Sequence, residues 1–253
     1  MEKDRADQRP DAQGRSLPVG PAGALIMLTL PLLAVLMLVS TVAFPGAGVV
    51  ALATGPALLT TVAGVAAYGL ATGYPHDRFG ACNTVTLIRA ALAAGLAVPL
   101  VAAGAPMANA PFAWAVVAVA ACALCLDGLD GWLARQSGLA SAFGARFDME
   151  VDALLGAILS LLALTMGKAG VWVLALGFLR YAFLAAGLVL PWLTRDLPPR
   201  MGRKTVCVIQ IATLTALLAP PVQPPLSPVL AAMATALLIS SFGADVLWLW
   251  RRR

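Results

Sequence analysis

Apolar residues dominate this chain in long runs, and short clusters of glycine, proline and charged residues interrupt them. Eight runs predict eight helices: Leu25–Phe44, Val49–Thr72, Asn83–Ala103, Phe112–Arg135, Ser141–Met166, Val171–Leu193, Thr205–Ala219 and Pro228–Trp250. Their stops are Pro45–Gly46, Gly73–Tyr74–Pro75, Gly104–Ala105–Pro106, Ser137–Gly138, Gly167, Pro198–Pro199 and Pro220–Pro221. The runs are too long for strands and show no alternation of period two. The expected fold is therefore an all-α, polytopic transmembrane bundle of about eight spans.

Composition agrees. The 253 residues are 60% apolar and 11% charged, with a mean hydropathy of +0.88, whereas a soluble domain carries about 25% charged residues. The start, Met1 to Pro21, is polar and of mixed charge, too long and too acidic for a signal n-region. It reads as a disordered cytoplasmic tail.

The basic residues set an orientation. With a cytoplasmic N-terminus, Arg78, Arg89, Arg135, Arg146, Arg195, Arg200, Arg203, Lys204 and Arg251 to Arg253 fall on the cytoplasmic side, and Lys168 on the other. The net charge of +5 is then topology and contact with anionic lipid, and nucleic acid is not an expected partner. Cys122 and Cys125 have no second ligand pair to make a zinc site, and one histidine, His76, cannot build a triad. No phosphate-binding loop pattern is present.

Against this apolar background stand four acids. Asp127, Asp130, Asp148 and Asp152 lie in the pattern D-x2-D-G-x2-A-R-x8-G-x3-D-x3-D, with Gly131, Ala134, Arg135 and Gly144 at the remaining fixed positions. Each Asp near the centre of a span costs roughly 2.5–3.5 kcal/mol, so four approach about 10 kcal/mol before pairing. Counting back from Gly138 places Asp127 about 16 Å inside one helix, and counting on from Ser141 places Asp152 about 16 Å inside the next. Two antiparallel helices thus bring four carboxylates to one level, an arrangement suited to two hard cations, Mg²⁺ or Mn²⁺.

The pattern resembles the signature of the CDP-alcohol phosphotransferase family, with every position filled, and the resemblance runs from about Asn83 to the C-terminus. It implies a membrane phosphatidyltransferase of phospholipid biosynthesis, in which a CDP-linked donor gives its phospho-alcohol group to an acceptor hydroxyl and CMP leaves. Metals on Asp127, Asp130 and Asp148 would bind the donor pyrophosphate. Asp152 is the implied general base, also touching a metal.

Nucleotide contacts are expected at Gly131, Ala134, Gly144 and Arg135, although the small residues also suit helix packing and Arg135 also suits a helix end. Asn83–x–x–Thr86–x–x–Arg89 is similar to the family's first-helix pattern, where such residues help hold the nucleotide and the acidic cluster. Helix capping is the other reading of Asn83 and Thr86.

For the acceptor, Arg180 lies about 20 Å from the end of its predicted helix and is expected to face a cavity. With Arg203 and Lys204 it would form an anion pocket, and Met201–Gly202–Arg203–Lys204–Thr205 looks like a stretch of phosphatidylglycerophosphate synthases. Flanking charge is the plain alternative for Arg203 and Lys204. Ala153 departs from members with a lysine there, which argues against a phosphorylated acceptor. Glu150 is expected to pair with Arg146 at i, i+4.

The expected organisation is a tail over 1–21, an accessory hairpin over 22–74, and a catalytic membrane domain of six spans over 75–253. A small polar acceptor, CDP-diacylglycerol as donor, a homodimer and a bacterial inner membrane complete the expectation. A soluble CDP-alcohol donor with a lipid acceptor is the alternative. A cation transporter is the rival class, but it would spread its acids across the membrane or show an inverted repeat.

Overall fold

The computed structural model describes residues 20–102, 109–195 and 201–252, without the side chains of Ala134, Arg135 and Met201. Nearly all of the predicted tail, the Gly104–Ala105–Pro106 and Pro198–Pro199 stops, and Arg200 lie outside the described residues. Eight α-helices are described: α1 (Pro21–Ala43), α2 (Val49–Gly73), α3 (Gly80–Val101), α4 (Ala110–Ser137), α5 (Ala142–Thr165), α6 (Leu174–Val189), α7 (Met201–Leu217) and α8 (Leu226–Trp250). No strand occurs among the described residues.

Six of these helices, α6 counted together with the 3-10 turn before it as Val171–Val189, are long and apolar enough to cross a membrane. The other two are α5, which carries Arg146, Asp148, Glu150 and Asp152 in its first half, and α7, which has 17 residues. The expected helix over Val171–Leu193 divides into three parts. A 3-10 turn, Val171–Val173, leads into α6, and a second, Pro191–Thr194, follows it. Pro191 explains the second break, because it has no N–H to donate and restricts the residue before it.

Helix α3 lies among α2, α4 and α5, and α5 in turn packs on α6 and α7. Small side chains permit this density: Ala90, Ala93, Ala94 and Ala97 on α3 are buried. A Cβ on Gly177 would lie 2.7 Å from Ala157 Cα and from the Gly156 carbonyl oxygen, so α5 and α6 touch backbone to backbone. One apolar core joins α3 to α8. A second joins α1 and α2 to another face of α3 and to Phe147 and Val151 of α5. The N-terminal hairpin is therefore packed onto the elements that carry the acids.

Two loops meet at the end of the bundle where α3 and α5 begin. Gly80 has a φ of +79° and abuts Leu139 of the α4–α5 loop. Gly138, at φ +66°, closes α4, and Ser141 caps α5 by accepting from the Gly144 amide at 3.0 Å. These two caps stand where the depth arithmetic assumed.

Candidate functional site

Asp127 and Asp130 are one helical turn apart on α4, and Asp148 and Asp152 one turn apart on α5. Because α4 and α5 both flank α3, the two pairs face a common centre. One oxygen each of Asp127, Asp148 and Asp152 lies within 4.8 Å of the other two.

Arg89 of α3 occupies that centre. It is 1% exposed, and its guanidinium meets all four carboxylates. Nη2 is 3.2 Å from Asp127 and also bonds Asp152, and Nη1 is 2.9 Å from Asp130 and also bonds Asp148. Nε donates to the Ala123 carbonyl at 3.1 Å. Five donors in a planar fork suit such a task. One positive charge still leaves four carboxylates under-compensated, so the cluster has capacity for further cations. Its donors are all carboxylate oxygens, which fit Mg²⁺ or Mn²⁺ and not a soft metal.

The pairs differ in access. Asp127 and Asp130 are buried, whereas Asp148 and Asp152 are only partly covered. Thr86 lies one turn outward from Arg89, its hydroxyl 3.1 Å from the Cys82 carbonyl and 3.3 Å from Asp130 Oδ2. Asn83, one turn further out, donates from Nδ2 to the Phe79 carbonyl at 2.6 Å. Neither caps the helix, whose N-cap is Phe79. A Cβ on Gly144 would stand 3.0 Å from Asn83 Oδ1 and 3.3 Å from Ser141 Oγ. Gly131, beside Asp130, is partly buried, and the Ala134 and Arg135 side chains lie outside the described residues.

A sequence model of the family described as CDP-alcohol phosphatidyltransferase matches residues 79–241, more than half of the chain. The chain belongs to the CDP-alcohol phosphatidyltransferase family. No curated protein and no solved structure matches it. Members of this family are transferases acting on CDP-alcohols in a lipid environment, typically with divalent metals. The match takes in the acidic cluster and the Asn83–Thr86–Arg89 face, and it leaves α1 and α2 outside.

The three basic residues expected to meet the acceptor do not form one bare cationic group. Arg180 Nη2 pairs with Glu150 Oε1 at 2.5 Å, and Arg203 Nε lies 3.7 Å from the buried Asp245 of α8. Lys204 is exposed and its charge bears on Asp148. Glu150 thus pairs across the α5–α6 contact rather than with Arg146. The glycine contact at Gly177 draws α6 against α5, and Arg180, three residues on, reaches Glu150. Since α6 ends at Val189, Arg180 lies nine residues from its end, about 14 Å. Arg203 and Asp245 line a pocket of about 450 Å³ between α7 and α8, with Gly202, Val206, Ser240 and Ser241.

The resemblance gave Arg89 a share, with Asn83 and Thr86, in holding the nucleotide and the acidic cluster, but did not place it at the centre of the acids. Its signal was a single cation inside a span that also carries Asn83 and Thr86 on the same face. Cys122, Cys125 and Cys207 are free and exposed, and Cys82 is free and buried.

Proposed function

We propose that this chain is an integral membrane phosphatidyltransferase. It takes a CDP-linked donor, CDP-diacylglycerol, passes the phosphatidyl group to the hydroxyl of a small polar acceptor, and releases CMP. The observation that carries the reading is the convergence of Asp127, Asp130, Asp148 and Asp152 on one buried point. Together with the family match, it identifies the class of chemistry.

Asp127, Asp130, Asp148 and Asp152 would hold Mg²⁺ or Mn²⁺, which when bound supplies charge neutralisation for the pyrophosphate and the departing CMP. Asp152, the innermost acid of α5, takes the proton from the acceptor hydroxyl, with Asp148 beside it as the second carboxylate of the open side. Arg89 keeps the four acids gathered at one level. Asn83, Thr86, Gly131, Ala134, Arg135 and Gly144 form the nucleotide side of the site. Gly144 leaves room there, because an added Cβ would crowd Asn83.

Arg180, Arg203 and Lys204 form the acceptor side. The Arg180–Glu150 pair offers both a donor and an acceptor of hydrogen bonds, which fits a polyhydroxylated or amino alcohol as well as a phosphorylated one. The accessory hairpin covers 22–74 and the catalytic domain 75–253. The site opens to the cytoplasmic side of a bacterial inner membrane, as the distribution of Lys and Arg favours. A homodimer is part of the same reading.

The test is CMP release by the purified chain with CDP-diacylglycerol and Mg²⁺ or Mn²⁺. Acceptors are glycerol 3-phosphate, inositol 1-phosphate, inositol, serine and choline, with Asp152→Asn as control. Release that requires one acceptor, the metal and Asp152 is the expected result. No release with any acceptor, from protein that binds the metal, would overturn the lipid-donor reading. It would move attention to a soluble CDP-alcohol donor or to ion transport.

A further inference from the structure

Tyr74 belongs to the linker between α2 and α3, upstream of the matched residues 79–241. Its hydroxyl donates toward the carbonyls of Arg78 at 2.8 Å and Phe79 at 3.1 Å. With its proton committed there, the oxygen is an acceptor, and Asn83 Nδ2 donates to it at 3.1 Å. The other Nδ2 proton goes to the Phe79 carbonyl. Both neighbours of this amide edge are acceptors, so the edge must be the NH2 side. Oδ1 is thereby turned toward Gly144, where an added Cβ would stand 3.0 Å away.

The tyrosine ring is held as firmly as its hydroxyl. It packs edge-on to Phe143 at 5.4 Å and to His76 at 5.4 Å, and Phe143 stacks on Phe147 at 5.8 Å. Gly69 of α2 presses on Phe143, since a Cβ there would come within 2.9 Å of the ring. The hairpin thus reaches the first turn of α5 through Phe143, and reaches α3 through Tyr74.

We infer that Tyr74 is a positioning residue for nucleotide binding. It fixes the Asn83 amide so that Oδ1 faces the site as an acceptor for a hydrogen-bond donor of the bound cytidine nucleotide. The inference rests on the transferase reading above and assigns the N-terminal hairpin a task in it. Asn83 is 2% exposed, so an Nδ2 proton that loses Tyr74 has no water to turn to, and the amide is left on the Phe79 carbonyl alone, free to tilt about that one bond. Thr86 and Arg89 follow Asn83 on the same face toward the acids, so a displaced Oδ1 is felt by the nucleotide and not by the reacting hydroxyl.

Tyr74→Phe tests this in the full chain, because it keeps the ring and removes the hydroxyl. CMP release is measured against CDP-diacylglycerol concentration. One net hydrogen bond corresponds to a rise in donor KM of about fivefold with kcat within about twofold, the pattern of lost ground-state binding. In an Asn83→Ala background, Tyr74→Phe should raise KM no further; Asn83→Ser is the second background if alanine leaves too little turnover. An unchanged KM in the single variant overturns the proposal, as does the same rise in the Asn83 backgrounds. A lowered thermal midpoint with KM unchanged would make Tyr74 a structural residue only. A wild-type chain that neither releases CMP nor binds CDP overturns the transferase reading and this inference with it.

Discussion

Arg89 Nη1 stands 2.9 Å from Asp130 Oδ2, so a cation from the first core helix is locked to the most buried acid of the signature. The other three aspartates close around the same guanidinium. Arg89 thus offsets part of the repulsion that would drive four carboxylates apart in a low-dielectric interior. It also holds them at the separation in which a metal would find them.

Arg89→Met should therefore destabilise the protein strongly when no metal is present. Removing one partner of a buried charge cluster costs about 3–5 kcal/mol. The thermal midpoint of the detergent-purified variant, with and without Mn²⁺, checks this. A large drop in chelator that millimolar Mn²⁺ partly restores is expected. A variant as stable as wild type in chelator would show that the acids do not depend on Arg89.

Asp152→Asn keeps the shape of the side chain and removes its ability to take a proton. Loss of a general base lowers turnover by about 10²–10⁴. The expected outcome is a fall in kcat of that order with donor KM little changed, read from CMP release. A rise in donor KM with kcat unchanged would instead assign Asp152 to binding.

Gly144→Ala separates stability from function. Within a helix, alanine is favoured over glycine by roughly 0.5–1 kcal/mol. Here the new Cβ would meet Asn83 Oδ1 at 3.0 Å and Ser141 Oγ at 3.3 Å. Displacing the Asn83 carbonyl oxygen should raise donor KM about tenfold, while strain and helix propensity nearly cancel in the thermal midpoint. Equal KM for both proteins would mean the crowding is relieved without touching the nucleotide side.

Lys168 is 1% exposed in the α5–α6 connection and donates from Nζ to the carbonyls of Ala219 at 3.1 Å and Val222 at 2.7 Å. It joins two turns at the end of the bundle away from the acids. Lys168→Met should cost about 1–3 kcal/mol by leaving buried acceptors unpaired, seen as a lower thermal midpoint with KM and kcat unchanged. A kinetic effect would show that this end is coupled to the site.

The helices were legible because turn residues punctuate them. All eight predicted runs correspond to helices, with ends shifted by a few residues. The acids were legible because period 3.6 and the caps at Gly138 and Ser141 fix their depth on α4 and α5. The centre of the cluster was not, since nothing local says that Arg89 on α3 turns toward those two helices. Glu150 was misjudged for the same reason. The i, i+4 rule selects Arg146, whereas the Gly177 contact brings α6 near enough for Arg180 to take it. Tyr74 lies in a linker that no periodicity describes.

The Arg180–Glu150 pair gives the most discriminating prediction about the acceptor. In the wild type, Glu150 shares the Arg180 guanidinium, and its negative charge opposes any acceptor phosphate that approaches. Both residues are about a third to a half exposed, so the pair itself adds little to stability. Glu150→Gln keeps the size and frees the full positive charge. If Arg180 meets the acceptor, KM for glycerol 3-phosphate or inositol 1-phosphate should fall severalfold relative to serine or inositol, and Arg180→Gln should reverse the order. Exposed charge interactions of this kind amount to about 0.2–1 kcal/mol, so a change of about two- to fivefold is the expected scale. It should shrink as salt is raised, because screening acts on an exposed pair. A ratio of KM values that does not move in either variant would remove Arg180 from the acceptor side. The pocket of Arg203 and Asp245 would then be the place to look.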